Sequence, residues 1–300
     1  MKNIELFGQN LNVRDYICSN RQDLTLTASP SLTLYIKITD SCNANCLFCA
    51  NECSKDFGNI DFKKLEYVIR YLLFKNILHG ISITGGEPMT NPSKLNSLLN
   101  LIWDIDPSIE VAVSTNGLNI RDFLTFDQVN KLNSIHISRH HYSDDENDKI
   151  FGAKMATSAD IEYLQKHLLD SKIVNINTMI MKSGIHDLES IKRNLEFVGS
   201  IGVYKNGFVS LMKNNEYSKE NFINFNDIFN NLDDSFLLAH RFYNKDYCEC
   251  VDGLYLSDKY KFVEFYARMV KDCECPYTTQ LVYTSDNRLT AGFGKKLIFK

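Results

Sequence analysis

Nine cysteines are the residues of this 300-residue chain with the most chemistry to offer. Three crowd into Asp40-Ser41-Cys42-Asn43-Ala44-Asn45-Cys46-Leu47-Phe48-Cys49, and four more form the pairs Cys248-x-Cys250 and Cys273-x-Cys275. Cys18 and Cys53 stand apart and read as small apolar side chains or idle thiols. Three thiolates within eight residues can wrap one metal centre. They leave a cubane iron–sulfur cluster one protein ligand short, whereas a structural zinc site needs a fourth ligand, which Cys53 could supply. Spacing alone leaves both readings open. The four late cysteines suffice to complete one further site of either kind.

Metal ligation is preferred to disulfides because the chain reads as cytoplasmic. Its start, MKNIELFGQN, lacks the apolar centre of a signal peptide. No apolar run approaches the roughly 18 residues of a spanning helix, and Tyr67–Leu78 is interrupted by Arg70 and Lys75. In a reducing compartment close cysteines are metal or redox groups first.

The elements that must position these thiols follow a βα rhythm. Leu32–Thr39, His79–Thr84, Glu110–Thr115, Ser134–Ser138, Lys172–Met181 and Gly207–Met212 read as strands. Between them, Asp61 caps a helix with Leu65, Val68, Ile69, Leu72 and Leu73 on one face, and Asn91-Pro92 opens another. A weaker helical stretch covers Ile120–Leu132, and further helices cover Ser158–Leu169 and His186–Val198. Six such alternations predict a parallel sheet with its functional groups on loops at the strands' C-terminal ends. The cysteine loop follows the first strand, and Gly85-Gly86-Glu87-Pro88 ends the second. Residues 1–30 read as a lead-in segment, 31–213 as the βα domain, 214–235 as a solvated connector and 236–300 as a small cysteine-containing domain. That last part carries a helix-like run, Tyr260–Val270, and a hairpin, Gln280–Phe293, turning at Ser285-Asp286-Asn287.

Cys-x3-Cys-x2-Cys after the first strand, with Phe48 before the last cysteine, resembles the radical S-adenosylmethionine (SAM) superfamily. The Gly-Gly-Glu-Pro motif at the second strand's end strengthens the resemblance. It implies an α/β fold, a partial (β/α)6 TIM-like barrel over roughly residues 32–212. It further implies a [4Fe-4S] cluster on Cys42, Cys46 and Cys49, whose fourth iron is chelated by SAM. Gly85, Gly86 and Glu87 would then approach the SAM ammonium, with Phe48 near adenine. Ser114 and Asn116 of Ser114-Thr115-Asn116-Gly117, Ser138 and Arg139 after the fourth strand, and Asn177 in the fifth become candidate SAM contacts. An arginine there offers a bidentate clamp for a carboxylate. His140, His141 and Tyr142 are candidates for substrate binding or proton transfer, although the run into Ser143-Asp144-Asp145-Glu146 reads equally as a hydrophilic surface loop. His79, His136, His167, His186 and His240 stand singly and need no functional role. Cys248, Cys250, Cys273 and Cys275 resemble the auxiliary-cluster (SPASM or twitch) extensions of some radical SAM enzymes. Their Cys-x-Cys spacing departs from those extensions, so a second iron–sulfur cluster and zinc are both in play.

The implied activity is reductive SAM cleavage, giving a 5′-deoxyadenosyl radical that abstracts hydrogen from a small-molecule substrate. A peptide substrate is the alternative, disfavoured because only about thirty residues precede the first βα strand, too few for a leader-binding domain. A non-catalytic zinc or iron–sulfur protein on a degenerate barrel is the reading from another class. A flavodoxin- or ferredoxin-like electron donor is the expected partner. A net charge of −4 disfavours nucleic acid; the 44% hydrophobic and 23% charged composition excludes wholesale disorder.

Overall fold

The computed structural model of the chain describes residues 2–13, 16–19, 26–29, 32–51, 58–243, 251–257, 259–266, 278, 280–293 and 296–300. Cys53, Cys248, Cys250, Cys273 and Cys275 lie outside these residues. Two short hairpins come first: β1 (Lys2–Leu6) with β2 (Gln9–Val13), and β3 (Tyr16–Ser19) with β4 (Leu26–Ser29). The βα series follows as β5 (Leu32–Lys37), α1 (Phe62–Phe74), β6 (Leu78–Thr84), α2 (Pro92–Ile105), β7 (Val111–Thr115) and β8 (Ser134–Ser138). Then come α3 (Asp144–Phe151), α4 (Ser158–His167), β9 (Val174–Ile180), α5 (Leu188–Ser200), β10 (Lys205–Ser210) and the short α6 (Glu216–Glu220) and α7 (Phe225–Phe229). The chain ends in β11 (Leu237–Tyr243), β12 (Val251–Ser257), β13 (Lys261–Tyr266), β14 (Gln280–Tyr283), β15 (Leu289–Ala291) and β16 (Leu297–Phe299).

Twelve of these strands form one sheet in the order β11-β12-β13-β10-β9-β8-β7-β6-β5-β14-β15-β16. From β13 to β14 every pairing is parallel. The six strands read from the sequence are therefore extended on both sides, by β13 beside β10 and by β14 beside β5. Crossover helices make the parallel pairing possible. α1 is capped by Asp61, whose carboxylate accepts from the Lys63 and Lys64 N–H groups, and α2 by Asn91 with Pro92 at its first position.

Alternation along the strands separates two faces. Leu34 and Ile36, Ile81 and Ile83, Val111 and Val113, and Ile135 and Ile137 are buried with the apolar stripes of α1 and α2 in the main core. The opposite face carries Thr33, Tyr35 and Lys37 on β5, Ser82 and Thr84 on β6, Ser114 on β7, His136 and Ser138 on β8, and Asn175 and Asn177 on β9. A parallel sheet wrapped by apolar layers would show near-continuous hydrophobic strands. Here one face is polar, as expected of a face kept for a ligand.

Several expectations are corrected. The lead-in is partly structured: Ile4, Leu6, Leu11 and Val13 of the first hairpin join the main core. The Tyr260–Val270 run contains a strand, because Val263 and Phe265 alternate into a second core beside Phe208 and Phe229 and a period of two wins over helical propensity. Ile120–Leu132 forms two 3-10 turns, Ile120–Thr125 and Val129–Lys131. The connector holds α6 and α7, with Phe225, Ile228 and Phe229 buried. Ser143–Glu146 caps and opens α3. The hairpin at Ser285–Asn287 forms as read, with Asn287 at a positive φ of 65°.

Lys205 on β10 and Glu264 on β13 form an ion pair with side-chain exposures of 6% and 14%. Removing one partner leaves a buried charge unpaired. Lys205→Met alone or Glu264→Leu alone should each destabilise the fold by about 3–5 kcal/mol, while the double variant should recover most of that loss. Denaturant unfolding of the three variants checks this; additive losses in the double variant would contradict it.

Candidate functional site

The cysteine loop is laid directly on the turn that ends β6. Ile38 N–H donates to Thr84 O at 2.9 Å, Gly86 N–H to Thr39 O at 2.7 Å, and Glu87 N–H to Ser41 O at 2.7 Å. This approach requires glycine. Gly85 sits at φ +151°, and a Cβ there would lie 2.4 Å from Thr39 O; at Gly86 it would lie 2.1 Å from Ser41 O. The two glycines thus admit backbone against backbone. Four further contacts pin the loop. Asn51 Nδ2 donates to Gly85 O at 3.0 Å, Asn45 N–H to Phe151 O at 2.8 Å, Asn214 Nδ2 to Cys49 O at 3.2 Å, and Asn215 Nδ2 to Leu47 O at 2.9 Å. The Ser285 hydroxyl of the C-terminal hairpin bonds Asp40. Loops after β5, β6 and β10, together with α3, therefore meet at the strands' C-terminal ends.

Cys42, Cys46 and Cys49 are half-buried and form no disulfide. Phe48 is buried beside Met179, Met181, Val209 and Leu211, with its ring edge-on to His140 at 5.2 Å. Among the described residues no group of three or more His, Cys, Asp or Glu side chains is already drawn together as a metal site. The donor set nevertheless suits an iron–sulfur cluster: three soft ligands on one loop, with N–H groups aimed at sulfur. Ala44 N–H lies 3.4 Å from Cys42 Sγ, and Asn116 Nδ2 lies 3.7 Å from it.

Glu87 is 1% exposed, and its carboxylate is committed to the protein. Oε1 accepts from Met89 N–H at 2.9 Å and from the Thr115 hydroxyl at 2.7 Å, and Oε2 accepts from Asn116 N–H at 2.6 Å. Burial pushes this carboxyl up from its ordinary 4.5 to about 7, against the pull of those three donors. Arg139 is likewise enclosed: Nη2 meets Asp144 Oδ1 at 2.5 Å and Tyr142 O at 3.2 Å, Nη1 meets Ala156 O at 3.3 Å, and the guanidinium lies 4.6 Å from the Phe197 ring centre. Desolvation lowers its pKa while Asp144 raises it. The fork expected for a ligand carboxylate holds β8 to α3 instead.

His140 is also buried. Its Nδ1 accepts from Met179 N–H at 3.1 Å, and its ring stacks on Phe151 at 4.7 Å. His141 and Tyr142 are half-buried with their rings tilted against each other, centres 4.1 Å apart; burial lowers the His141 pKa. Ser114, Ser138 and Asn177 are half-buried on the polar face, and Ser138 and Asn177 are register partners across β8 and β9. The sequence reading missed Asn51, Asn214 and Asn215. Asn214 and Asn215 follow the sixth strand, where the strand-end rule places functional groups, but their polar neighbourhood read as a connector.

The radical SAM superfamily model matches residues 36–198, more than half of the chain. The chain belongs to the radical SAM superfamily. Among curated relatives, a GTP 3′,8-cyclase from Rhodopirellula baltica is 32% identical over 94 residues, 30% of this chain and 26% of that protein. A GTP 3′,8-cyclase from Nautilia profundicola is 26% identical over 191 residues, 60% of this chain and 56% of that one. The chain thus spans between a quarter and rather over half of these relatives. The crystal structure of Streptococcus suis SuiB bound to S-adenosylmethionine superposes with a TM-score of 0.61 at 15% identity, covering 89% of this chain and 62% of SuiB. That likeness establishes the shared fold. Membership makes the chain an enzyme and implies SAM and a [4Fe-4S] cluster as its cofactors.

Between pH 4.5 and about 7 the folded chain retains a proton at Glu87 that the unfolded chain has released. This group's contribution to stability is therefore present at low pH and falls as pH rises through that window. Glu87→Gln should flatten that part of the stability–pH profile. It should also cost about 1–3 kcal/mol, because its amide would face the Asn116 N–H donor. Unfolding midpoints of both proteins at several pH values check this; parallel profiles would contradict it.

Proposed function

We propose that this radical SAM enzyme cleaves SAM reductively at a [4Fe-4S] cluster held by Cys42, Cys46 and Cys49, and acts on a small polar molecule. The observation that carries the reading is the three-thiol loop, seated on the Gly85-Gly86 turn at the C-terminal ends of β5 and β6. When bound, the cluster and SAM supply hydrogen-atom abstraction from an unactivated C–H bond and leave 5′-deoxyadenosine.

The protein's own residues hold and shield this chemistry. Gly85 and Gly86 let the loop settle, and Glu87 ties the β6 and β7 ends together beneath it. Phe48, Met179 and Met181 form an apolar wall beside Cys46 that excludes water. Ser114, Ser138 and Asn177 offer hydroxyl and amide groups to the polar parts of SAM. Arg139 and His140 shape the β8 loop from behind, His141 is the candidate of this loop for the substrate, and Tyr142 packs instead against the second core beside Ile191 and Leu195 of α5.

A small polar substrate is in keeping with the polar character of the face opposite the helices, which carries Thr33, Tyr35, Ser82, His136 and Asn175. The relatives named GTP 3′,8-cyclase are consistent with a small, polar substrate of that kind. The peptide alternative has only fold in its favour, through SuiB, also solved with its precursor peptide SuiA at a TM-score of 0.60. We also assign a second iron–sulfur or zinc centre to Cys248, Cys250, Cys273 and Cys275, on their paired spacing alone, and a flavodoxin- or ferredoxin-like protein as electron donor.

Anaerobic reconstitution followed by dithionite and SAM should yield 5′-deoxyadenosine, and Cys46→Ala should abolish it. Continued product formation by that variant would remove the proposal. Metal analysis of the same preparation tests the second centre: iron or zinc beyond one cubane should disappear in the Cys248→Ala/Cys250→Ala variant, and no loss would exclude it.

A further inference from the structure

Asn116 stands out among the candidate SAM contacts because its amide is already fully directed. Oδ1 accepts from Leu118 N–H at 3.0 Å, which fixes which end of the amide is nitrogen. Nδ2 therefore faces the cysteine loop, at 2.8 Å from Asn43 Oδ1 and 3.7 Å from Cys42 Sγ. Its backbone is clamped as well, since Asn116 N–H donates to Glu87 Oε2 at 2.6 Å. The side chain is 8% exposed. With one face against Cys42 and the other engaged by Leu118, it has little left to offer a ligand in solution.

We propose that Asn116 is a positioning residue for Cys42 and, resting on the cluster assignment above, a tuner of the cluster's potential. An N–H donor on a cluster sulfur stabilises negative charge on that sulfur. The reduced cluster carries one more negative charge than the oxidised one, so the donor favours the reduced state and raises the potential. The Ala44 N–H reaches the same sulfur from within the loop. Cys42 is thus approached from two sides, one of them the β7 end. The fold tunes one corner of the cluster through a residue outside the cysteine motif.

Asn116→Ala removes the donor. Asn116→Asp keeps an oxygen for Leu118 N–H and sets a carboxylate oxygen against the sulfur. Asn43→Ala removes the other acceptor and leaves the sulfur contact. In reconstituted protein titrated with dithionite and followed by electron paramagnetic resonance, both Asn116 variants should have more negative midpoints than the wild type. Asn116→Asp should be the lower of the two, and Asn43→Ala should match the wild type. Wild-type midpoints in both Asn116 variants, or an equal shift in Asn43→Ala, would overturn the inference.

A measurement that needs no Asn116 variant keeps it testable should those variants fail to hold a cluster. In the Asn43→Ala protein labelled with amide-¹⁵N asparagine, electron–nuclear double resonance of the reduced cluster should show coupling to one asparagine amide. Absence of that coupling would also overturn it. A wild-type chain that takes up no iron–sulfur cluster would instead remove the proposed function and this inference with it.

Discussion

Two backbone hydrogen bonds, from Gly86 to Thr39 and from Glu87 to Ser41, bring the cysteine loop onto the end of β6. They form only because neither residue 85 nor residue 86 has a Cβ; either one would fall on a carbonyl oxygen of the opposing chain. The position of the thiols follows from this contact. Once the loop is down, asparagine side chains from the loop itself and from the β7 and β10 ends satisfy its remaining polar groups, and α3 meets it at Asn45. Local sterics at two positions therefore set the geometry of a site assembled from several loops.

The polar groups around the loop divide into two kinds. Glu87 and Arg139, the two ionisable groups with most to offer a cofactor, are buried and engaged by protein partners. They fix the ends of β6, β7 and β8. Ser138 and Asn177 are neutral and half-buried on the opposite face from the helices, where the proposed function gives them to SAM. Burying a charge in a structural role and presenting neutral donors and acceptors avoids a desolvation cost each time a ligand binds. Much the same division runs down β5 to β8, where isoleucines and valines face the helices, whereas on β9 and β10 Thr178 and Asn206 face α5 and bond Asn194.

The βα rhythm was legible because helical and strand periods differ so sharply: the stripe Leu65, Val68, Ile69 and Leu72 and the alternation in Leu32–Lys37 each point to one structure. Cys42, Cys46 and Cys49 were legible as candidate ligands because thiol spacing on one loop is a local property. What the sequence concealed was tertiary. The strand Lys261–Tyr266 has an aromatic, β-branched stretch that also suits a helix, and only its pairing with β10 decides the matter. The partners of Glu87, Arg139 and Asn116 sit up to 74 residues away, so their residue types announced polar chemistry without saying whether a ligand or the protein would receive it.

The proposed chemistry needs a cubane with three protein ligands and a fourth iron left to the cofactor. Mössbauer spectroscopy of ⁵⁷Fe-reconstituted protein, before and after SAM is added, addresses this directly. A single iron site should separate from the other three when SAM binds, and Cys53→Ala should leave that change intact. Irons that stay indistinguishable with SAM present, or a fourth site that responds only when Cys53 is removed, would contradict it.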